Sequence, residues 1–230
     1  MSPIRRLYIA SALIFGALCL SSGVQAQAPP PREDHQFWNE GQLVKPITPR
    51  QDLVVIGVLR IGRGWKRPVE ERIGAGWALK PNKYVTVMPT YLHVEYQPFP
   101  GRIIHEERLV MNITGKITAG QWSFTDRNLF ERRVRPGSPD FNVYRNRLQI
   151  DHPAGIGRFK FKPYVADEFW YSTQRDAIGR LGWFRNRISV GIIRQLNERL
   201  TGEIFLLYQH DGRSRPGNIP AVGTLFRYTL

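Results

Sequence analysis

The sequence predicts an all-β protein, an antiparallel up-and-down transmembrane β-barrel of about 10–12 strands, from three observations. Runs of about ten residues alternate apolar and polar side chains, whereas strands of soluble proteins average five or six residues. The connections between runs alternate between short and long, which is typical of barrels with turns on one side and loops on the other. The chain also ends inside a strand-like run, VGTLFRYTL, in which Gly223, Phe226 and Tyr228 match the closing strand of membrane barrels.

The strand-like runs follow one another along the chain, and each ends at Pro, Gly, Asn or Asp. Single-chain bacterial barrels have even strand numbers, so we expect ten wall strands with residues 35–51 as a plug, or twelve with this segment as the first strand. The runs cover residues 35–45, 52–63, 70–80, 83–96, 103–115, 120–135, 141–151, 158–172, 182–196, 200–210 and 220–230.

Within each run the alternation separates an apolar face from a charged one. In residues 182–196, Phe184 and Ile188 share one face, and Arg185 and Arg187 share the other. A soluble sandwich or ligand carrier turns the apolar face inward, whereas a transmembrane barrel turns it to lipid and the charges to the lumen. The alternation alone is compatible with both arrangements, while run length, connection length and the closing strand favour the barrel.

The N-terminus reads as a processing signal. Residues 1–26 combine Arg5 and Arg6, a short apolar stretch and a small-residue cleavage site ending at Ala26, so we expect a cleaved signal peptide. Residues 27–34 are predicted to be a flexible leader, and residues 35–230 a single outer-membrane barrel domain of a Gram-negative bacterium. The only cysteine, Cys19, lies in the signal, so the mature chain is expected to form no disulfide.

The net positive charge of the chain indicates which kinds of partner to expect. The formal charge is +14, and removing the two signal-peptide arginines leaves +12. An exported protein rarely meets nucleic acid, so we expect outer-membrane lipids and lipopolysaccharide phosphates as the anionic partners. The C-terminal strand is expected to engage the barrel-assembly machinery.

Two sets of site residues follow from the faces of the runs. The aromatic residues at strand ends are assigned to the membrane girdle and the closing strand: Trp122, Phe169, Tyr171, Phe226 and Tyr228. The charged residues on the opposite face are assigned to an Arg/Glu network in the lumen: Glu106, Arg108, Arg127, Glu131, Arg145, Arg147, Glu168, Arg185, Arg187 and Glu203.

One pentapeptide pattern occurs twice, as YRNRL at 144–148 and FRNRI at 184–188. Each copy is predicted to place its aromatic residue in the outer girdle, its Asn, Asn146 or Asn186, at the headgroups, and its arginines in the lumen. Such Arg–Glu layers more often fill a narrow barrel than guide a substrate.

These motifs, together with FERR (130–133), DEFW (167–170), the Trp38-containing first segment and the closing LFRYTL, resemble the family known as domain of unknown function 2490. The resemblance covers nearly all of residues 35–230. It implies a bacterial outer-membrane β-barrel and no catalytic residues, since that family has no assigned activity.

The sequence predicts no catalytic site, no cofactor and no metal site. No histidine lies two residues from a serine on a strand, and HEE at 105–107 lacks the second histidine of a metalloprotease helix. We therefore expect a porin-like barrel without enzymatic activity: a narrow anion-preferring channel, or a structural barrel that binds glycolipid. The alternatives are a lipid-modifying outer-membrane enzyme and a soluble periplasmic β-barrel that carries a ligand.

Overall fold

The computed structural model describes residues 31–157, 159–175, 179, 181–212 and 214–230, and its regular structure is entirely β. No helix long and apolar enough to cross a membrane occurs among these residues. The strands are β1 (Gln36–Thr48), β2 (Gln51–Gly62), β3 (Arg67–Leu79), β4 (Val85–Phe99), β5 (Arg102–Ala119), β6 (Trp122–Val134), β7 (Phe141–Asp151), β8 (Ala154–Ile156), β9 (Phe159–Ser172), β10 (Gly182–Gln195), β11 (Leu200–Asp211) and β12 (Asn218–Thr229).

Eleven of the described strands close into one barrel. Neighbours along the chain pair antiparallel from β1 to β7, and β7, β9, β10, β11 and β12 continue the ring in the same way. The short β8 pairs only with β9 and extends the β7–β9 hairpin beyond the wall. The predicted all-β barrel of about 10–12 strands is therefore confirmed.

The ring closes through a parallel pair, β1 with β12, in a register that runs from Gln36↔Ala221 to Val44↔Thr229. Here the expectation of an even strand number is wrong. An even count follows only when every pair in the ring is antiparallel, and an odd ring must bring its first and last strands together in parallel. Residues 36–48 form this first wall strand rather than a plug of the lumen.

The two ends of the barrel differ, and we name them by their connections. Among the described residues, the loop end carries 63–66, 100–101, 135–140, 173–175, 179, 181, 212 and 214–217. The turn end carries 49–50, 80–84, 120–121, 152–157 and 196–199 together with the C-terminus.

Part of the predicted flexible leader is tied to the loop end. The amides of Gly217 and Asn218 both donate to the carbonyl of Arg32, and the amide of Asp34 donates to the carbonyl of Asn218. Asp34 is buried, and its carboxylate accepts from the amide of Gly64. Residues 27–30, the remainder of the predicted leader, lie outside the described residues, as does the predicted signal peptide.

The faces of the strands follow the alternation read from the sequence. Large apolar side chains cover the outside of the ring, for example Ile73, Leu109 and Ile188, all more than half exposed. The predicted girdle residues also point outward: Trp122, Phe226 and Tyr228 toward the turn end, and Phe169 and Tyr171 toward the loop end.

One predicted outward residue is turned inward. Phe184, the aromatic residue of FRNRI, is only 8 % exposed and packs against Phe141, Val143 and Trp170. The register shifts between Trp183 and Arg185, and this bulge reverses the side on which Phe184 lies. Trp183 is 65 % exposed and takes the girdle position instead, with its ring 4.6 Å from that of Phe169.

The outward asparagines of the repeated pentapeptides are hydrogen-bonded to aspartates of neighbouring strands. Asn146 donates to the carboxylate of Asp126, and Asn186 donates to Asp167 at 2.7 Å. These pairs cross neighbouring strands on the outer face, so the amides predicted to face headgroups are hydrogen-bonded to protein.

Candidate lumen site

Charged side chains line the inner face of the ring, at positions that lie two residues apart on each strand. The strand register places Arg147, Glu168 and Arg187 side by side on β7, β9 and β10. The neighbouring strands add Glu131 of β6 and Arg108 of β5, and both side chains are buried.

Glu168 is the centre of this network. Its carboxylate accepts from Arg145 at 2.6 Å, from Arg187 at 2.9 Å and from Arg127 at 3.2 Å, while only 2 % of the residue is exposed. Each of these hydrogen bonds joins two full charges away from bulk water, which makes them stronger than neutral bonds. Glu168 of β9 thereby joins its two neighbouring strands, β7 and β10. Arg127 adds a contact from β6.

A second carboxylate continues the network toward β6 and β5. Glu131 accepts from Arg145 at 2.6 Å and also binds Arg133. Farther along, Glu106 accepts from Arg108 and from Arg135, each at 2.6 Å. The charges therefore alternate in sign around the inner wall, so that most positive groups meet a carboxylate.

Two tryptophans connect this charged network across the lumen. The guanidinium of Arg60 lies 3.7 Å from the ring centre of Trp38, and Arg187 lies 4.5 Å from the same ring. Arg187 also lies 4.6 Å from the ring of Trp170, and Arg145 lies 4.7 Å from it. Guanidinium groups stack favourably on aromatic faces, so these contacts hold side chains of distant strands together.

We call this set the arginine layer. It comprises Trp38, Arg60, Glu70, Arg108, Glu131, Arg145, Glu168, Trp170 and Arg187.

A cavity of about 220 Å³ adjoins the arginine layer on the side of the turn end. Its wall mixes apolar side chains such as Val58 and Leu129 with charged ones, and its described lining includes six arginines and four glutamates. The Nε atoms of several lining arginines are buried without a hydrogen-bond acceptor, namely those of Arg60, Arg127, Arg145 and Arg187. Such donors favour water or an anion in the cavity.

Arg147 is the most available positive charge at this cavity. Within the described part of the chain it makes no ion pair; it donates to Gln149 at 2.7 Å and lies 5.5 Å from the ring of Tyr164. The neighbouring hydroxyl of Tyr164 donates to Glu203, so this glutamate is engaged as well. The other five lining arginines each pair with a carboxylate.

All ten residues that the sequence assigned to the lumen lie on inward-facing strand positions, although they form more than one group. Arg185 pairs with Asp211 at 2.9 Å, nearer the loop end than the arginine layer. Glu203 lies toward the turn end, where it accepts from Tyr164 rather than from an arginine. The remaining predicted residues belong to the layer, bind it directly or line the cavity.

Several residues of the layer were not identified from the sequence. Arg60, which donates to Glu70 at 2.8 Å, lies in a stretch in which both faces are largely apolar, so its side of the strand was not evident. The aromatic members Trp38 and Trp170 have no separate sequence signal, because an inward and an outward tryptophan differ only by one step of register.

In the described part of the chain, the polar contacts of His210 and Ser214 and the ring contact of His152 are to residues of other types. His210 is hydrogen-bonded to Asn218 at 2.8 Å, whereas the hydroxyl of Ser214 donates to Asp211. His152 packs against Trp122, with ring centres 4.6 Å apart.

The fold and the charged lumen define a class: a closed β-barrel with an apolar outer surface and an arginine-rich interior. The chain belongs to the protein family of unknown function DUF2490, whose family model matches residues 35–218. No curated protein matches the chain closely enough to count as a relative.

Two solved structures match the chain at low identity. A NanC porin matches with a TM-score of 0.51 and 10 % identity, covering 86 % of this chain and 99 % of that one. An anion-selective porin from Comamonas acidovorans matches with a TM-score of 0.41 and 12 % identity, and the match covers 79 % of this chain and 54 % of that one. At this identity the likeness to NanC concerns the fold alone.

Proposed function

We propose that the protein is an integral outer-membrane barrel whose lumen binds small anions and passes them slowly, with the arginine layer as the constriction. The observation that carries this proposal is the excess of arginine over glutamate around the cavity, together with an Arg147 that makes no ion pair within the described residues. A ring of fixed positive charge in a narrow pore favours anions.

The outer surface supports the membrane part of the proposal. On β5 the outward residues from Leu109 to Ile117 form an apolar run, and Leu109, Met111, Ile113 and Ile117 are exposed. Eight residue steps correspond to about 26 Å along a strand, or roughly 20 Å along the axis at a tilt of ~40°, close to the apolar band of outer-membrane barrels. A soluble β-barrel would expose this surface to water at a large cost.

The same proposal assigns the partners. Lipids contact the outward apolar band, lipopolysaccharide lies at the loop end, and the barrel-assembly machinery engages β12. The turn end then faces the periplasm, as in other barrels with short periplasmic turns, and the cavity lies on the periplasmic side of the arginine layer. The proposed activity is passive and involves no chemical conversion.

Single-channel recording in planar bilayers tests the proposal. Arg187→Ala removes a side chain that binds Glu168 and contacts both tryptophans of the layer, so we expect conductance to rise by roughly twofold or more as the constriction widens. Arg147→Gln replaces the guanidinium with a shorter neutral amide, so the anion preference measured in a KCl gradient should fall, while conductance should change less than in Arg187→Ala because Arg147 binds neither Glu168 nor the tryptophans.

Arg194→Gln is the matched control, because Arg194 lies on the outer face of β10 against Phe159. It should leave both conductance and selectivity unchanged. A wild-type barrel without single-channel currents, or one that prefers cations, would contradict the proposal, and so would an Arg147→Gln barrel with unaltered selectivity.

A further inference from the structure

A cluster of histidine and glutamate side chains lies on the outer face of β4 and β5, away from the lumen. Each strand carries a His-x-Glu sequence, His93-Val94-Glu95 and His105-Glu106-Glu107, in which the first and third residues point outward. The register pairs His93 with Glu107 and Glu95 with His105. The four side chains therefore occupy one patch, immediately beyond the apolar run toward the loop end.

The distances within the patch match those of a metal site. Glu95 Oε1 lies 3.6 Å from His93 Nε2 and 3.3 Å from His105 Nδ1. One atom from each of His93, Glu95 and His105 lies within 4.8 Å of the others. Tetrahedral zinc with bonds of about 2.0–2.1 Å holds its ligand atoms roughly 3.4 Å apart, so two of the three separations are already close to those of a bound ion.

Glu107 orients one of these ligands. Its Oε1 lies 2.7 Å from His93 Nδ1, and its other oxygen accepts from the hydroxyl of Tyr91. When Nδ1–H donates to this carboxylate, the lone pair of Nε2 points toward Glu95 and is available to a metal. Carboxylate–histidine–metal arrangements of this kind are the usual second layer of zinc sites.

We propose that His93 Nε2, Glu95 and His105 Nδ1 form a zinc site on the outer rim of the barrel, with the fourth coordination position open to water. Two imidazole nitrogens and one carboxylate suit Zn²⁺ and not Mg²⁺ or Ca²⁺, which take oxygen ligands. The side chains of His93, Glu95 and His105 are 34 %, 32 % and 52 % exposed, so an ion reaches them without opening the fold.

The position of the patch fits this role. Charged side chains on the lipid face are costly within the apolar band, and His93 and Glu107 come one outward step after Tyr91 and Leu109. The site therefore lies at the membrane boundary near the loop end, where ions from the surrounding water have access. Glu71, opposite Glu95 in the register, adds a further negative charge beside it.

Isothermal titration of the full-length chain, folded in detergent, with ZnCl₂ tests the proposal. We expect one saturable Zn²⁺ site per chain and no comparable response to CaCl₂. His105→Ala removes a ligand and should weaken Zn²⁺ binding by roughly tenfold or more. Glu107 does not contact the ion, but Glu107→Gln removes the carboxylate that orients His93 and should also weaken Zn²⁺ binding, by about 10–100-fold.

His210→Ala is the matched control, since His210 is exposed on β11 across the ring from β4 and should leave binding unchanged. The shift in electrophoretic mobility between boiled and unboiled samples establishes that each variant is folded. Absence of saturable Zn²⁺ binding by the folded wild-type barrel would overturn the proposal. Wild-type affinity in the folded His105→Ala variant would do the same, and the patch would then be a set of ion pairs only.

Discussion

At the scale of single residues, the interior depends on Glu168. One carboxylate serves Arg127, Arg145 and Arg187, which come from three different strands. Burial of charge is costly unless each charge is paired, and removing one partner leaves the other uncompensated. A shared acceptor therefore has more effect on stability than any one of its donors.

Glu168→Gln should consequently destabilise the barrel by about 3–5 kcal/mol, because three arginines lose the charge they share. Urea titration in lipid vesicles, followed by tryptophan fluorescence, measures this change. Glu198→Gln, in the exposed turn at 196–199, should change the stability little. Equal stability of the Glu168→Gln variant and the wild type would show that Arg–Glu pairing in the lumen does not stabilise the fold.

At the scale of elements, the packing of β12 against β11 explains why the closing strand has a glycine at position 223. Gly223 faces inward opposite Phe205 of β11, and a Cβ at Gly223 would lie 2.1 Å from Cζ of that ring. The ring lies directly over the glycine, as aromatic side chains do when they cover glycines in sheets. The requirement for glycine at this position is thus a packing requirement between the last two strands.

Gly223→Val should therefore displace Phe205 and cost about 1–3 kcal/mol, the usual effect of overpacking. The fraction of chain that migrates as the compact, unboiled form should fall on electrophoresis. Gly41→Val is the control, because no atom lies within 4 Å of a Cβ at that outward position of β1. Adding Phe205→Ala to Gly223→Val should restore part of the compact form, and failure to do so would show that the ring is not the obstacle.

At the scale of the whole molecule, the seam between β1 and β12 decides the architecture. The parallel pairing converts an otherwise antiparallel ring into one with an odd number of strands. It also places Trp38 of β1 in the lumen between Arg60 and Arg187. A barrel closed without β1 would lack this contact and leave the arginine layer incomplete.

A disulfide tests the seam directly. In a Cys19→Ser background, Gly41→Cys with Phe226→Cys joins two residues that are direct partners in the parallel register. Their separation suits a disulfide, which needs Cα atoms about 4.4–6.8 Å apart. Gly41→Cys with Thr224→Cys is displaced by one outward step, about 7–8 Å on the diagonal, and should not oxidise.

Loss of maleimide-reactive thiols after mild oxidation measures the cross-link. We expect it for the 41–226 pair and not for the 41–224 pair. Free thiols in both variants would mean that residues 36–48 lie outside the wall and that the ring closes without them.

The strands and most of their faces follow from the alternation of residues along the chain. All eleven runs of alternating residues correspond to wall strands, and the arginines and glutamates assigned to the lumen face inward. Both results rest on a local rule, since successive side chains of a strand point to opposite sides. Phe184 is the exception, because a bulge at Trp183 and Arg185 breaks that rule without a mark in the sequence.

How the ring closes and which distant side chains meet depend on the pairing of strands in the folded barrel. The odd strand number, the position of Trp38 between two arginines and the pairing of the two His-x-Glu sequences all depend on register between strands. Register is a property of two segments at once, and closure is a property of the whole ring. The alternation within one strand carries no information about either, so it does not show that His105 and Glu107 lie beside His93 and Glu95.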